Sequence, residues 1–190
     1  MGVKKQGKDI FEDADQAAIR LLNQTELPEK FTVALKNYKG ARDGHPKASH
    51  DLIRQFFVGF LHEAYGVQYS EINIEQAVLI EVRGFIDALF QHVIFEFKKD
   101  FKAEKSDGLV QLKNYLSSRK NPESYFGILT DGIVFEAYRL RGKSLEILGV
   151  LDIVKCSQSD AFLWFDKFIF STHKIRPTAD DMVQRFGPRS

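Results

Sequence analysis

RGFIDALFQHVIFEFKKD, residues 83–100, is the segment on which the interpretation of the fold depends. It reads as a core β-hairpin, because two apolar runs flank a short polar connection at residues 91–92. Asp87, Glu96 and Lys98 are nevertheless set into these runs. Since burying a charge without a partner is expensive, the fold must supply partners for these three side chains.

Alternation along the strands indicates how these charges meet. Successive side chains of a strand point to opposite faces of the sheet, so Glu96 and Lys98 share a face with Ile94. If residues 91–92 form a two-residue turn, the register sets Asp87 opposite Glu96, with Cβ atoms about 5 Å apart. Like charges in this position destabilise a hairpin, so a positive group is expected between them.

Two explanations of these charges are open. Paired carboxylates are typical ligands of Mg²⁺, and a lysine beside the metal can orient the attacking water in phosphodiester hydrolysis. The alternative is a strand on which Glu96 and Lys98 face the solvent and pair with each other. The E-x-K spacing alone does not decide, because about one such match is expected by chance in a chain of this length.

Helices are predicted before the hairpin. Apolar spacing predicts helices over residues 9–23 and 25–38, and a polar, turn-rich loop over residues 39–49. A helix from Ser49 or His50 follows, with Glu63 at the edge of its apolar stripe and Gly66 as its stop. Residues 70–82 then read as a strand.

Further elements are predicted after the hairpin. An amphipathic helix over residues 102–119 leads to a second hairpin over residues 124–140, with Asp131–Gly132 at its turn. A strand over residues 145–154 and a helix over residues 158–170 complete the pattern. The order predicts an α/β fold with a central mixed β-sheet flanked by helices.

Composition limits the class of protein. The chain has 190 residues and a net charge of +1, so a basic surface for nucleic acid must be local. A single cysteine, Cys156, excludes an internal disulfide. No apolar run reaches the roughly 18–20 residues of a membrane span, so we expect a cytoplasmic protein without a membrane partner.

A cluster of basic residues after the E-x-K strand has two interpretations. It can contact DNA phosphates, or it can form a solvated helix face, because acidic residues are interleaved with it. The cluster consists of Lys99, Lys102, Lys105, Lys113, Arg119 and Lys120.

The hairpin resembles a known catalytic core. Asp87, eight intervening residues and then Glu96-Phe97-Lys98 resemble the PD-(D/E)xK nuclease superfamily, whose core is a helix, three strands, a second helix and another strand. Gln111 to Tyr115 matches the QxxxY element of type I restriction nuclease domains. The wider phrases RGFIDALFQHVIFEFKKD, QLKNYL and YFGILTDGIVFEAY are similar to the amino-terminal nuclease region of fused restriction–modification proteins that carry an N6-adenine methylase.

The resemblance implies a role for each matching residue. Asp87 and Glu96 would bind Mg²⁺, or Mn²⁺ in its place, with the backbone carbonyl of Phe97, and Lys98 would position the attacking water. Gln111 and Tyr115, one helical turn apart, would reach towards the site or the DNA. An additional acidic ligand is expected, for which Glu63, Glu75 and Glu81 are the candidates.

The resemblance also implies an organisation and a function. The expected fold is restriction-endonuclease-like, with an N-terminal helical arm over residues 1–48, a nuclease core over residues 49–172 and a segment over residues 173–190 leading towards a further domain. The expected function is a Mg²⁺-dependent endonuclease that cuts double-stranded DNA, with a methylase or specificity domain or subunit as partner. The alternative is a catalytically inactive domain of this fold that binds DNA or docks a partner.

Overall fold

The computed structural model describes residues 29–77, 85–90 and 92–170, without the side chains of residues 73–77 and 85–87. Within these residues the chain forms four α-helices and six strands, in the order α1 (Glu29–Gly44), α2 (His50–Tyr65), β1 (Ile72–Ala77), β2 (Phe85–Phe90), β3 (Val93–Phe97), α3 (Phe101–Ser117), β4 (Phe126–Thr130), β5 (Val134–Arg141), β6 (Ser144–Asp152) and α4 (Gln158–Phe165), followed by a π-helical turn at Asp166–Phe170. The helix predicted over residues 9–23 and the segment over residues 173–190 lie outside them.

The strands form one mixed sheet in the order β1-β2-β3-β4-β5-β6. Neighbouring strands are antiparallel except β3 and β4, which are parallel. A parallel pair needs a crossover connection, and α3 supplies it. The predicted α/β class, with a central mixed sheet flanked by helices, is confirmed.

The opening hairpin has the predicted register. Phe90 pairs with Val93 and Leu89 with Ile94. Successive side chains of β3 point to opposite faces of the sheet. Phe95 belongs to one apolar cluster of the protein and Ile94 to the other. The local sequence pattern therefore predicted the strand pairing of this hairpin and the faces on which the side chains of β3 lie.

Several predicted helix and turn signals are also confirmed. Ser49 caps α2, accepting a hydrogen bond from the backbone N–H of Leu52, and Gly66 ends the helix in the left-handed region with φ of 71°. Gly132 has φ of 82° in the turn between β4 and β5. Asp131 stabilises the same turn, because its Oδ1 accepts hydrogen bonds from the backbone N–H groups of the two residues after Gly132.

The loop predicted over residues 39–49 is wrong in its first half, because α1 continues to Gly44. Tertiary contacts hold this extension. The guanidinium of Arg42, 3% exposed, donates to the carbonyl oxygens of Asp131 and His45 at 3.1 and 3.2 Å. The hydroxyl of Tyr38 donates to the carbonyl oxygen of Gly132 at 2.8 Å. The carbonyl groups of Asp131 and Gly132 lie in a turn about ninety residues later in the chain, so the local spacing of residues does not reveal these contacts.

The sheet separates two apolar clusters. One face, here the aromatic face, packs against α1, α2 and α4 and holds interlocking rings such as Phe57, Phe95 and Phe165. The other face, here the α3 face, has a smaller cluster that includes Leu112 and Leu129. The sequence analysis ended the N-terminal arm at residue 48. This boundary falls between α1 and α2, which contribute to the same apolar cluster.

Candidate active site

A buried ion pair lies at the end of β3 on the α3 face. Glu96 is 2% exposed. Its Oε1 lies 2.7 Å from Nζ of Lys98, whose side chain is 11% exposed. The predicted proximity of Glu96 and Lys98 is confirmed, as is the part of the alternative that pairs them with each other, whereas its solvent-facing placement is wrong. Because both charges are largely removed from water, close contact between them is needed to offset the loss of hydration.

The backbone brings this pair directly under α3. The N–H of Lys98 donates to the carbonyl oxygen of Thr130 at 2.8 Å, so the contact between β3 and β4 continues one residue past β3. Asp100 then caps α3, accepting hydrogen bonds from the N–H groups of Lys102 and Ala103 at 2.9 and 3.0 Å. Strand, ion pair and helix start therefore follow one another without a loop that could separate them.

Gln111 completes the contacts of the lysine. Nζ of Lys98 donates to Oε1 of Gln111 at 2.5 Å. Gln111 itself is exposed on α3. The ammonium group is therefore held between a buried carboxylate and an amide at the surface, which is the side from which water or a substrate can approach.

A glycine allows α3 to approach the sheet this closely. A Cβ at Gly108 would lie 2.6 Å from Cδ1 of Leu129 and 3.0 Å from Cε of Lys98. Glycine inside a helix costs about 1 kcal/mol relative to alanine. Its presence at this position is explained first by the close passage of Leu129 and then by that of the Lys98 stem, and an isolated glycine in an amphipathic helix was the sequence signal for it.

The backbone of Asp87 lies in β2, and its side chain is outside the described set. The register pairs Ala88 with Phe95, and one further step in the same register aligns position 87 with Glu96. The backbone thus agrees with the predicted alignment, and the facing of the two carboxylates stays a prediction.

Phe97 and Tyr115 have structural contacts of their own. The ring of Phe97 is fully buried against Phe57 and Phe95 on the aromatic face. Tyr115 is 4% exposed and belongs to the cluster beneath α3. The structure brings Gln111 to Lys98 and places Tyr115 in apolar packing, so a role of Tyr115 at the site stays a prediction.

Of the three candidates for the additional acidic ligand, the structure describes the side chain of Glu63 alone. Glu63 is exposed on α2, where its Oε2 accepts a hydrogen bond from Nδ2 of Asn37 at 3.5 Å. Because α2 packs on the aromatic face, the sheet separates Glu63 from Glu96. The side chain of Glu75 and the whole of Glu81 lie outside the described part of the chain.

A second lysine–carboxylate pair was missed by the sequence analysis. Glu136 of β5 is 6% exposed, and its Oε1 lies 2.7 Å from Nζ of Lys105 on α3. Its Oε2 accepts a hydrogen bond from the hydroxyl of Tyr138. Burial, followed by this hydrogen bond, raises the pKa of Tyr138 well above its usual range. The available signal was a glutamate inside an apolar strand, the same signal that marks Glu96.

The chemistry of the predicted ligands suits Mg²⁺. A carboxylate at Glu96, a carboxylate at Asp87 and the backbone carbonyl of Phe97 are all oxygen donors, and Mg²⁺ requires only one or two carboxylates because it keeps several waters. Among the side chains that the structure describes, no three His, Cys, Asp or Glu residues lie close enough to hold a metal ion. The side chain of Asp87, the second predicted carboxylate ligand, lies outside this described set.

Comparison of this chain with protein-family models, with curated proteins and with solved structures finds no match. In the described ranges, no helix has both the length and the apolar character needed to cross a lipid bilayer.

Proposed function

We propose that this chain is a Mg²⁺-dependent endonuclease domain that hydrolyses DNA phosphodiester bonds in a restriction–modification system. The observation that carries the proposal is the buried contact between Glu96 and Lys98, extended to Gln111, at the end of β3. A carboxylate can bind a metal ion, and an ammonium group beside it can stabilise negative charge that develops on a phosphate.

The topology supports the same proposal. The order α2-β1-β2-β3-α3-β4, with β3 and β4 parallel, has the same sequence of elements as the PD-(D/E)xK core that the chain resembles. We therefore infer a restriction-endonuclease-like fold. Since one fold can host unrelated functions, the functional argument depends on the residues at the end of β3.

The residues have distinct proposed roles. Asp87 and Glu96, with the backbone carbonyl of Phe97, would hold the metal, which when bound polarises a phosphoryl oxygen and lowers the pKa of a coordinated water. The ammonium of Lys98 orients that water and stabilises the negative charge that develops on the phosphate. Gln111 keeps the ammonium directed towards the surface, where the DNA backbone passes.

The DNA contact is proposed for two lysines around the start of α3, whereas Lys105 is paired with Glu136. Lys99 and Lys102 are exposed and follow Lys98 in the chain. Lysine contacts with phosphates give affinity that is independent of sequence and weakens with salt. Sequence recognition would come from a methylase or specificity partner, and the cytoplasm is the expected location of such a system.

Cleavage of supercoiled plasmid with Mg²⁺ or Mn²⁺, against an EDTA control, tests the proposal. Asp87→Ala and Lys98→Ala are expected to lower the nicking rate about 10²–10³-fold, because each removes charge stabilisation in the transition state. Lys143→Ala, an exposed lysine in the turn between β5 and β6, is the matched control and is expected to leave the rate unchanged. Equal nicking by all four proteins would refute the proposal.

Metal binding provides a second measurement. Titration with Mn²⁺ by calorimetry is expected to show one site that Glu96→Ala abolishes. A chain that neither nicks DNA nor binds Mn²⁺ through Glu96, yet binds duplex DNA, would instead be the catalytically inactive DNA-binding module.

A further inference from the structure

Glu136 is held as firmly as Glu96, although it lies on a different strand. Its two carboxylate oxygens have different partners, Lys105 from α3 and Tyr138 from β5. The Lys105 side chain is 38% exposed and the Glu136 side chain 8%. This group, here the Lys105 cluster, consists of Lys105, Glu136 and Tyr138, and the proposed reaction uses none of them.

Strand pairing aligns this cluster with the candidate active site. Glu96 pairs with Leu129, and Leu129 pairs with Glu136, so the three residues form one row across β3, β4 and β5. Strands are spaced about 4.8 Å apart, which separates the two glutamates by about 10 Å along the row. Leu129 lies between them as an apolar spacer.

One side of α3 contacts this part of the sheet. Lys105 contacts Glu136, Gly108 lies against Leu129 and Lys98, and Gln111 contacts Lys98. These three positions follow one another every three residues, on neighbouring turns of the helix. The helix is therefore attached to the sheet at two polar points, one on each side of its closest approach at Gly108.

Stability alone does not explain the second attachment. A buried ion pair replaced by apolar residues of similar volume commonly leaves a protein equally stable or more stable. In some proteins a buried ion pair is kept because it fixes which positions of two elements meet. The contact between Lys105 and Glu136 joins one position of α3 to one position of β5 in this way.

We propose that the Lys105 cluster is a positioning element for the candidate active site. It holds α3 at the height and rotation that keep Gln111 on the Lys98 ammonium and Lys98 on Glu96. Its consequence for catalysis rests on the proposed function, whereas its consequence for the position of Lys98 can be measured without any reaction.

Chemical reactivity of Lys98 is the first measurement. The full chain is treated with an acetylating reagent, and the acetylation rate of Lys98 is read by mass spectrometry in the wild type, Glu136→Gln, Lys105→Met, Lys105→Arg and the control Lys143→Met. Glu136→Gln and Lys105→Met are expected to raise the rate about fivefold or more, because Lys98 spends more time away from Glu96. Lys105→Arg keeps the charge pair and is expected to retain the protection.

Plasmid nicking is the second measurement. Glu136→Gln is expected to lower kcat about tenfold with little change in KM for DNA, because the Lys105 cluster positions Lys98 and does not bind the substrate. A purely structural role would instead lower the fraction of folded enzyme and leave kcat per folded molecule unchanged.

A double variant keeps the test decisive if a single variant fails to fold. Glu136→Leu with Lys105→Leu replaces the charge pair by apolar side chains and is expected to fold. It should nevertheless show the raised Lys98 acetylation rate. Wild-type protection of Lys98 in this double variant would overturn the inference, whereas absence of nicking in the wild type would refute the proposed function and leave the acetylation result standing.

Discussion

The two faces of the sheet are built on different principles. The aromatic face is filled by rings from four elements or more, with Phe57 touching Phe95, Phe135 and Phe165. The α3 face has a smaller apolar cluster and carries the buried charges of Glu96 and Glu136. We infer that the aromatic face supplies most of the folding free energy. Its helices also bury Arg42 and Arg54, and the α3 face holds the two buried carboxylates.

This difference is physically reasonable because apolar packing and charge placement have opposite requirements. Burial of rings needs only volume and shape, and it contributes roughly in proportion to the area removed from water. Buried charges need exact partners and add little net stability. A fold can therefore hold a polar site on one face only if the other face supplies the stability.

Removal of a central ring should have the largest effect. Phe57 is 1% exposed in the aromatic face. We expect Phe57→Ala to lower the free energy of unfolding by about 3–5 kcal/mol, because the cavity is surrounded by rigid rings. Equilibrium urea denaturation measures the change. Val110→Ala, at a side chain 58% exposed on α3, is the control and should stay within about 0.5 kcal/mol of the wild type. Similar losses of stability in Phe57→Ala and Val110→Ala would contradict the proposed difference between the two faces of the sheet.

Replacement of the ion pair should separate stability from function. Glu96→Leu alone is expected to cost about 3 kcal/mol, because the Lys98 charge remains beneath α3 without its carboxylate. Glu96→Leu combined with Lys98→Met should recover most of that loss and still bind no Mn²⁺. Denaturation and calorimetry on the same samples measure both effects. A double variant less stable than either single variant would show that the pair serves the fold itself.

Filling the glycine position should have a smaller effect. The Cβ of Gly108→Ala meets Leu129 and Lys98, so overpacking costs about 1–3 kcal/mol, partly offset by about 1 kcal/mol of better helix propensity. We expect a net loss near 1 kcal/mol and a faster acetylation of Lys98. Gly40→Ala, where a Cβ would meet nothing within 4 Å in α1, is the matched control and should be neutral or stabilising. A stabilised Gly108→Ala with protected Lys98 would contradict the close packing.

Loss of a buried hydroxyl should have a similarly small effect at neutral pH. Burial raises the pKa of Tyr38 and of Tyr138, one on each face. Because the folded-state pKa lies above the unfolded value, the stability that each neutral phenol gives is fully present below pH about 10 and is lost as the pH rises further. Tyr38→Phe and Tyr138→Phe should each cost about 1 kcal/mol at neutral pH and flatten the alkaline loss of stability. Denaturation experiments across this pH range measure the loss of stability. If both variants lose stability with rising pH as steeply as the wild type, the buried phenols do not cause that loss.

Local pattern predicted most of the elements and the centre of the site. The strands around residues 91–92, the helix after them and the Asp131–Gly132 turn follow from alternation, helical spacing and turn chemistry. The contact between Glu96 and Lys98 follows from their spacing of two on one strand. Gln111 was predicted through a resemblance of short motifs, and the structure brings it to Lys98.

Other contacts could not be predicted because they join distant parts of the chain. The extension of α1 depends on a turn about ninety residues later, and the placement of Glu63 depends on which face α2 covers. Side-chain spacing carries no information on either choice, since both follow from how elements pack after they form.

The strands, the helices and the neighbouring charges of β3 could be predicted from the sequence, because they depend on interactions between residues close in the chain. The packed fold was needed to show that Glu136 lies in one row with Glu96, and that α3 contacts Glu136 directly and Glu96 through Lys98. The order and register of strands beyond a hairpin are fixed by long-range pairing, which brings together charges from segments that share no local pattern.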